Sequence, residues 1–205
     1  MRQILLDPYE MKRDRETLYW DACIFLAWLQ NEQLDPGVME GIEEHAKRVT
    51  NNQAILVTSI MTRTEVLDSR LSKAAKDQFT NLFKRRNVEW INHDERVSTL
   101  SHDIRDHYDQ QGVKLSSADC VHLASGILYD VDVFYTLDGS GKKKKGKLLP
   151  LNGNVAGHKL RIEKPYQKQL SLNLQPPGQS ADESGPHPAA KQGARARKIA
   201  FEEDV

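Results

Sequence analysis

TLYWDACIFLAWLQ, residues 17–30, changes character at its one acid, Asp21. The four residues before it are aromatic, aliphatic or β-branched, which suits a short buried strand. The nine after it are nearly all apolar, which suits a buried helix. A strand that runs through a carboxylate straight into a helix is half of a βαβ unit, and the rest of the chain repeats that alternation.

Downstream, Asp35 and Pro36 are expected to cap and open a second helix through roughly VMEGIEEHAKRV, residues 38–49. AILVTS (54–59) is an apolar β-type run, and MTRTEVLDSRL (61–71) resumes helical spacing. A charged helix is predicted from Ser72 to Arg86, with Leu82 and Phe83 facing inward. VEWIN (88–92) is a third strand candidate, and residues 94–111 read as a helix ending near Gly112. SSADCVHLASGILYD (116–130) is a capped, mostly buried helix, and VDVFYTLD (131–138) is a strong strand. HKLRIEKP (158–165) supplies a last strand, closed by Pro165. Strands alternating with helices predict an α/β domain with a parallel sheet covered by helices on both faces.

The 205 residues allow one domain plus extensions. Residues 1–16 are expected to be an N-terminal extension. Met1 to Leu6 reads as the start of a strand, and Pro8 to Glu16 is charged with no apolar face. The domain spans 17–165. Beyond it, QPPGQSADESGPHPAAKQGARARK is rich in Pro, Gly, Gln, Ser and Ala, so residues 166–205 are predicted to be a disordered polar tail. That tail explains a hydrophobic content of only 39%. Net charge is zero, from 29 basic and 29 acidic residues, so bulk charge does not argue for a nucleic-acid binder. The two cysteines, Cys23 and Cys120, are far apart and argue against a zinc site or a disulfide framework. The charged N-terminus lacks the apolar core of a signal peptide, and no stretch approaches the roughly 20 apolar residues of a membrane span. A cytoplasmic protein is expected.

In parallel sheets, sites gather beyond the carboxyl ends of strands. Asp21 ends the first strand and Asp138 ends VDVFYTL. Glu65 lies about a turn and a half into the helix after ILVTS, and Asp119 lies in the first turn of its helix. All four are therefore expected at one edge. Each also sits among apolar neighbours, where an unpartnered carboxylate is costly to desolvate. Clustered carboxylates raise one another's pKa, and a hard divalent cation relieves both problems. Such a cation lowers the pKa of bound water and stabilises charge at phosphorus, which is the chemistry of phosphodiester cleavage. Local explanations stand beside this one. Asp119 suits a helix N-terminus, Asp138 opens a turn with Gly139, and Glu65 is in reach of Arg63 or Arg70.

Taken in order, LYWDACIFLAWL, VTSIMTRTEVL, LSSADCVHLASG and FYTLDG resemble the PIN-domain nucleases, and especially the VapC-type toxins of bacterial toxin–antitoxin pairs. The resemblance runs from roughly Thr17 to Pro165. It implies a PIN-like three-layer α/β/α sandwich with a central, mostly parallel sheet. It maps the metal-binding and catalytic acids of the family onto Asp21, Glu65, Asp119 and Asp138. It further implies Mg2+ or Mn2+, RNA as substrate, hydrolysis by metal-activated water, a homodimer, and inhibition by a small antitoxin protein. The expected function is thus a metal-dependent endoribonuclease, the toxin of such a pair. The alternative is a non-catalytic PIN-like scaffold for RNA or protein. Asp7 competes for the first position, but PYEMKRD follows it rather than an apolar helix, so Asp21 is preferred.

Other residues carry weaker signals. Lys142, Lys143, Lys144 and Lys145, with Lys147, follow Asp138 and read either as a solvated loop or as contacts to an RNA backbone. Lys84, Arg85 and Arg86 read as a solvated helix end, and Arg195, Arg197 and Lys198 in the tail as weak RNA contacts. His122 shares a helix face with Asp119 and reads as a half-buried, satisfied histidine before it reads as a ligand. Thr58, Ser59 and Thr62 are candidates for capping or for orienting a water. Trp20, Trp28 and Trp90 read as core. Neither cysteine is expected to be catalytic, although both lie next to a candidate acid.

Overall fold

The computed structural model describes residues 15–139 and 147–167. Five strands form one sheet, β1 (Glu16–Trp20), β2 (Ala54–Ser59), β3 (Val88–Ile91), β4 (Val133–Tyr135) and β5 (Ile162–Glu163). Their order across the sheet is β3-β2-β1-β4-β5, and every pairing is parallel. The helices are α1 (Ala22–Gln30), α2 (Val38–Thr50), α3 (Met61–Leu67), α4 (Lys73–Leu82), α5 (Glu95–Gln110) and α6 (Ser117–Leu128).

Parallel strands need long crossovers, and those crossovers place helices on both faces, so the inner strands are apolar throughout. All six residues of β2 are buried. Side chains alternate between faces along each strand. Tyr19, Ile55, Val57 and Phe134 point into one core with Val97, Ile104 and Leu123 of α5 and α6. Leu18, Trp20, Leu56 and Val133 point into the other with Phe25 of α1, Ile42 of α2 and Phe79 of α4. The result is the three-layer α/β/α sandwich expected. Trp20 is fully buried against Phe25 and Trp28, and Trp90 stacks on Phe83, so the tryptophans are core residues as read.

Several boundaries move, each for a local reason. Helix α2 begins after Gly37, whose φ of 84° opens it without a side-chain cap; Asp35 and Pro36 belong to the preceding turn, and the Asp35 carboxylate pairs with Lys164 at 2.9 Å. Helix α4 does have Ser72 as its cap but ends at Leu82, so Lys84, Arg85 and Arg86 lie in the turn before β3 rather than on a helix end. Strands β4 and β5 are shorter than their apolar runs. The chain also stays attached past Pro165: the Gln167 N–H donates to the Gly37 carbonyl at 2.8 Å. This strap lies so close to α2 that a Cβ on Gly41 would sit 1.8 Å from the Pro165 oxygen, so position 41 admits only glycine without displacing it. The N-terminal strand read at Met1–Leu6, Asp7 and nearly all of the expected tail lie outside the described residues.

Candidate active site

The strand order reverses between β1 and β4: the chain steps outward through β2 and β3 on one side of β1, then through β4 and β5 on the other. Connections leave these two strands in opposite directions, which opens a crevice beyond their carboxyl ends. Asp21 stands there. Its backbone N–H donates to the Tyr135 carbonyl at 3.1 Å, extending the ladder by one residue before α1 begins.

The Asp21 side chain caps α1 and ties it to β4. Oδ1 accepts from the Ala22 N–H at 2.7 Å. Oδ2 accepts from the Thr136 hydroxyl at 2.8 Å and from the Cys23 thiol at 3.3 Å. The same sulfur accepts from the Leu137 N–H at 3.2 Å, and Thr136 Oγ1 accepts from the Asp138 N–H at 3.0 Å. With Asp21 only 7% exposed, these partners offset a desolvation that would otherwise be prohibitive. Burial, then the Asp21 charge, pushes the Cys23 thiol well above its usual range, so it is a protonated donor and no nucleophile.

Glu65 comes in from α3 and meets His122, not Arg63 or Arg70. Its Oε2 lies 2.9 Å from His122 Nε2, and Asp21 Oδ1 lies 3.7 Å from the same nitrogen. His122 is fully buried on α6, deeper than its sequence context suggests. Its Nδ1 is 2.7 Å from the Tyr19 hydroxyl, which accepts from the Ser59 N–H at 3.0 Å. Burial alone would pull the imidazole pKa down; the Glu65 hydrogen bond and the charges of Asp21, Glu65 and Asp119 outweigh it and hold the pKa above its ordinary value. The hydroxyls of the neighbouring strand are structural. Thr58 donates to the Trp20 carbonyl at 2.7 Å and lies 2.7 Å from the Thr62 hydroxyl, while Ser59 Oγ accepts from the Met61 N–H.

Asp119 is held by backbone. Its Oδ2 accepts from the Ser116 N–H while its own N–H donates to Ser116 Oγ, both at 3.0 Å, a reciprocal capping box. The local explanation of Asp119 is therefore correct as far as it goes. Asp138 is half-buried in the turn after β4, which Gly139 completes at a φ of 127°. Partial burial, then the charges of Asp119 and Asp21, raise the Asp138 carboxyl above its ordinary value, against the Leu148 N–H and Lys147, which pull it down. Asp119 and Asp21 are thus within electrostatic reach of Asp138, and Glu65 and Asp21 approach the same His122 nitrogen.

The four acids end or follow strands at the carboxyl edge of the sheet. They fit a divalent cation in donor type, since all are hard carboxylate oxygens. They are not a preformed cage: among the described residues no group of three or more His, Cys, Asp or Glu side chains is close enough to hold a metal ion. Tyr19, Thr136 and the buried role of His122 escape a sequence reading, because each looks like core or turn until a partner more than a hundred positions away is brought beside it. Lys142 to Lys145 lie outside the described residues.

A family model described as the PIN domain matches residues 18–147, well over half of the chain. Among solved structures, the chain is similar to VapBC2 from Rickettsia felis bound to a DNA fragment from their promoter, with 11% identity and a TM-score of 0.51 over 72% of this chain and 97% of that one. It is also similar to DNA-bound VapBC from Salmonella typhimurium, with 16% identity and a TM-score of 0.48, and to FitAcB from Neisseria gonorrhoeae, with 13% and 0.45; each covers 72% of this chain and 97% of the other. At such identities the first likeness speaks for the fold alone. No curated protein matches the sequence. With its parallel sheet, its acid at the end of β1 and the match over residues 18–147, the chain belongs to the PIN domain family.

Proposed function

We propose that the protein is a metal-dependent endoribonuclease and the toxin of a toxin–antitoxin pair. What supports this reading is the position of Asp21, Glu65, Asp119 and Asp138 at the carboxyl edge of a PIN-domain sheet, where Glu65 and Asp21 approach the same His122 nitrogen. Asp21, Asp119 and Asp138 would hold Mg2+ or Mn2+, and Glu65 would complete the shell or hold the attacking water. A cation bound there lowers the pKa of its water and stabilises charge developing on the phosphoryl oxygens. The chain's own contribution is placement: Thr136 and the Ala22 N–H fix Asp21, Ser116 fixes Asp119, and His122 fixes Glu65. RNA is the proposed substrate, with Lys142 to Lys145 along its backbone. A small antitoxin and a second copy of the chain are the proposed partners, and the cytoplasm the proposed location; among the described residues no helix is long and apolar enough to cross a membrane.

Incubating purified protein with single-stranded RNA, structured RNA and DNA in Mg2+ or Mn2+ tests the reading. RNA cleavage that disappears in both Asp21→Asn and Asp119→Asn is the expected result, and cleavage unchanged in the double variant sinks it. One observation favours a second reading, a non-catalytic scaffold: the acids are engaged by protein groups instead of standing at coordinating distances. Titration calorimetry showing no Mn2+ binding at millimolar concentration would decide for the scaffold. Growth arrest on expression, relieved by a neighbouring small open reading frame, tests the toxin role.

A further inference from the structure

A chain of buried polar groups runs from β2 through the sheet to the acidic edge. It starts at the Ser59 backbone N–H, which can only donate, and does so to the Tyr19 oxygen at 3.0 Å. The same oxygen lies 2.7 Å from His122 Nδ1. The imidazole Nε2 lies 2.9 Å from Glu65 and 3.7 Å from Asp21; an ionised carboxylate only accepts, so Nε2 carries the proton. Both Tyr19 and His122 are fully buried, so no water competes for these bonds. The orientation is set at both ends: the Tyr19 ring stacks on Phe134 at 4.5 Å and meets the imidazole edge-on.

We propose that Tyr19 and His122 are positioning residues for the acidic site: the pair holds Glu65 through one N–H beside Asp21, so that the other Glu65 oxygen is presented toward the cation. The inference rests on the metal-dependent reading above. Its physical basis is that a ligand carboxylate held by an outer donor loses rotamer freedom before the metal arrives, and outer partners of this kind change metal affinity by about 10–100-fold when removed.

The test has two arms. Nitrogen-15 NMR of the imidazole in metal-free protein reads the proton positions: wild type is expected to be protonated on Nε2, and Tyr19→Phe to shift the Nδ1 resonance. A neutral imidazole protonated on Nδ1 overturns the proposal whatever the protein's activity. Mn2+ calorimetry reads the consequence: His122→Ala is expected to weaken binding about 10–100-fold, Tyr19→Phe to weaken it less, and His122→Gln, which restores an N–H near Nε2, to recover most of the loss. Circular dichroism confirms that each variant folds. Equal Mn2+ affinity in wild type and His122→Ala sinks this proposal alone, whereas no Mn2+ binding by wild type sinks the metal-dependent reading and this one with it.

Discussion

The acidic edge has two halves built differently. Asp21 and Glu65 are held by side chains from distant segments: Thr136 just after β4, His122 from α6, and Tyr19 behind it from β1. Asp119 and Asp138 are held by backbone within a few residues or across a turn, Asp119 by the Ser116 N–H and Asp138 by the Leu148 N–H. In the first half Asp21 is buried and the half-buried Glu65 is tied to a buried histidine; in the second both acids are half-buried and locally capped. Orienting a carboxylate in the interior requires partners, because water is not there to supply them. A carboxylate at the rim can keep a modest local cap and still turn toward a cation.

The widest separation between the halves should appear when charge is removed without volume. Asp21→Asn and Asp119→Asn are both expected to abolish RNA cleavage, yet to differ in stability. Asn at 119 can still accept from Ser116, so the melting temperature should stay within about 4 °C of wild type. Asn at 21 forces an amide N–H toward Thr136 or Cys23 and should cost about 1–3 kcal/mol. Equal melting temperatures would erase the proposed difference between the halves.

Truncation sharpens it next. Glu65→Ala leaves the His122 N–H with only the distant Asp21 oxygen, and urea denaturation is expected to show a loss of about 1–3 kcal/mol. Ser116→Ala removes only a cap, at about 1 kcal/mol. The same experiment on both reverses the comparison if the cap variant proves the more damaging.

The smallest effect is on pH dependence. The His122 pKa is raised in the folded state: burial pulls it down, but the Glu65 hydrogen bond and the charges of Asp21, Glu65 and Asp119 outweigh that. A raised folded value means that stability is fully present below the unfolded value, near 6.5, and is lost as pH rises through the folded one. Metal-free protein should therefore lose denaturant resistance on going from pH 6 to pH 9, and His122→Gln should flatten that fall. A slope that survives the substitution would place its origin elsewhere.

Much of this is legible in the chain, for local reasons. TLYW and AILVTS read as strands because buried parallel strands are apolar on both faces, and Ser72 and Ser116 mark helix starts because a hydroxyl there satisfies an orphan N–H. Asp35 misleads because the residue that opens α2 is Gly37, whose left-handed backbone does the turning that Asp35 and Pro36 seem to promise. Phe83 to Arg86 look helical because charged residues tolerate a helix, but the chain must turn there so that Val88 can join β2.

By itself, the sequence determined the α/β alternation and the acids that end or follow its strands, because period and capping are written in neighbours a few residues apart. Only the tertiary structure decided the order β3-β2-β1-β4-β5, which puts Asp21 beside Thr136, and the meeting of Tyr19, His122 and Glu65. Those pairings join residues up to 115 positions apart. No local preference encodes them; they exist because burying both faces of the sheet brings the ends of its strands to one edge.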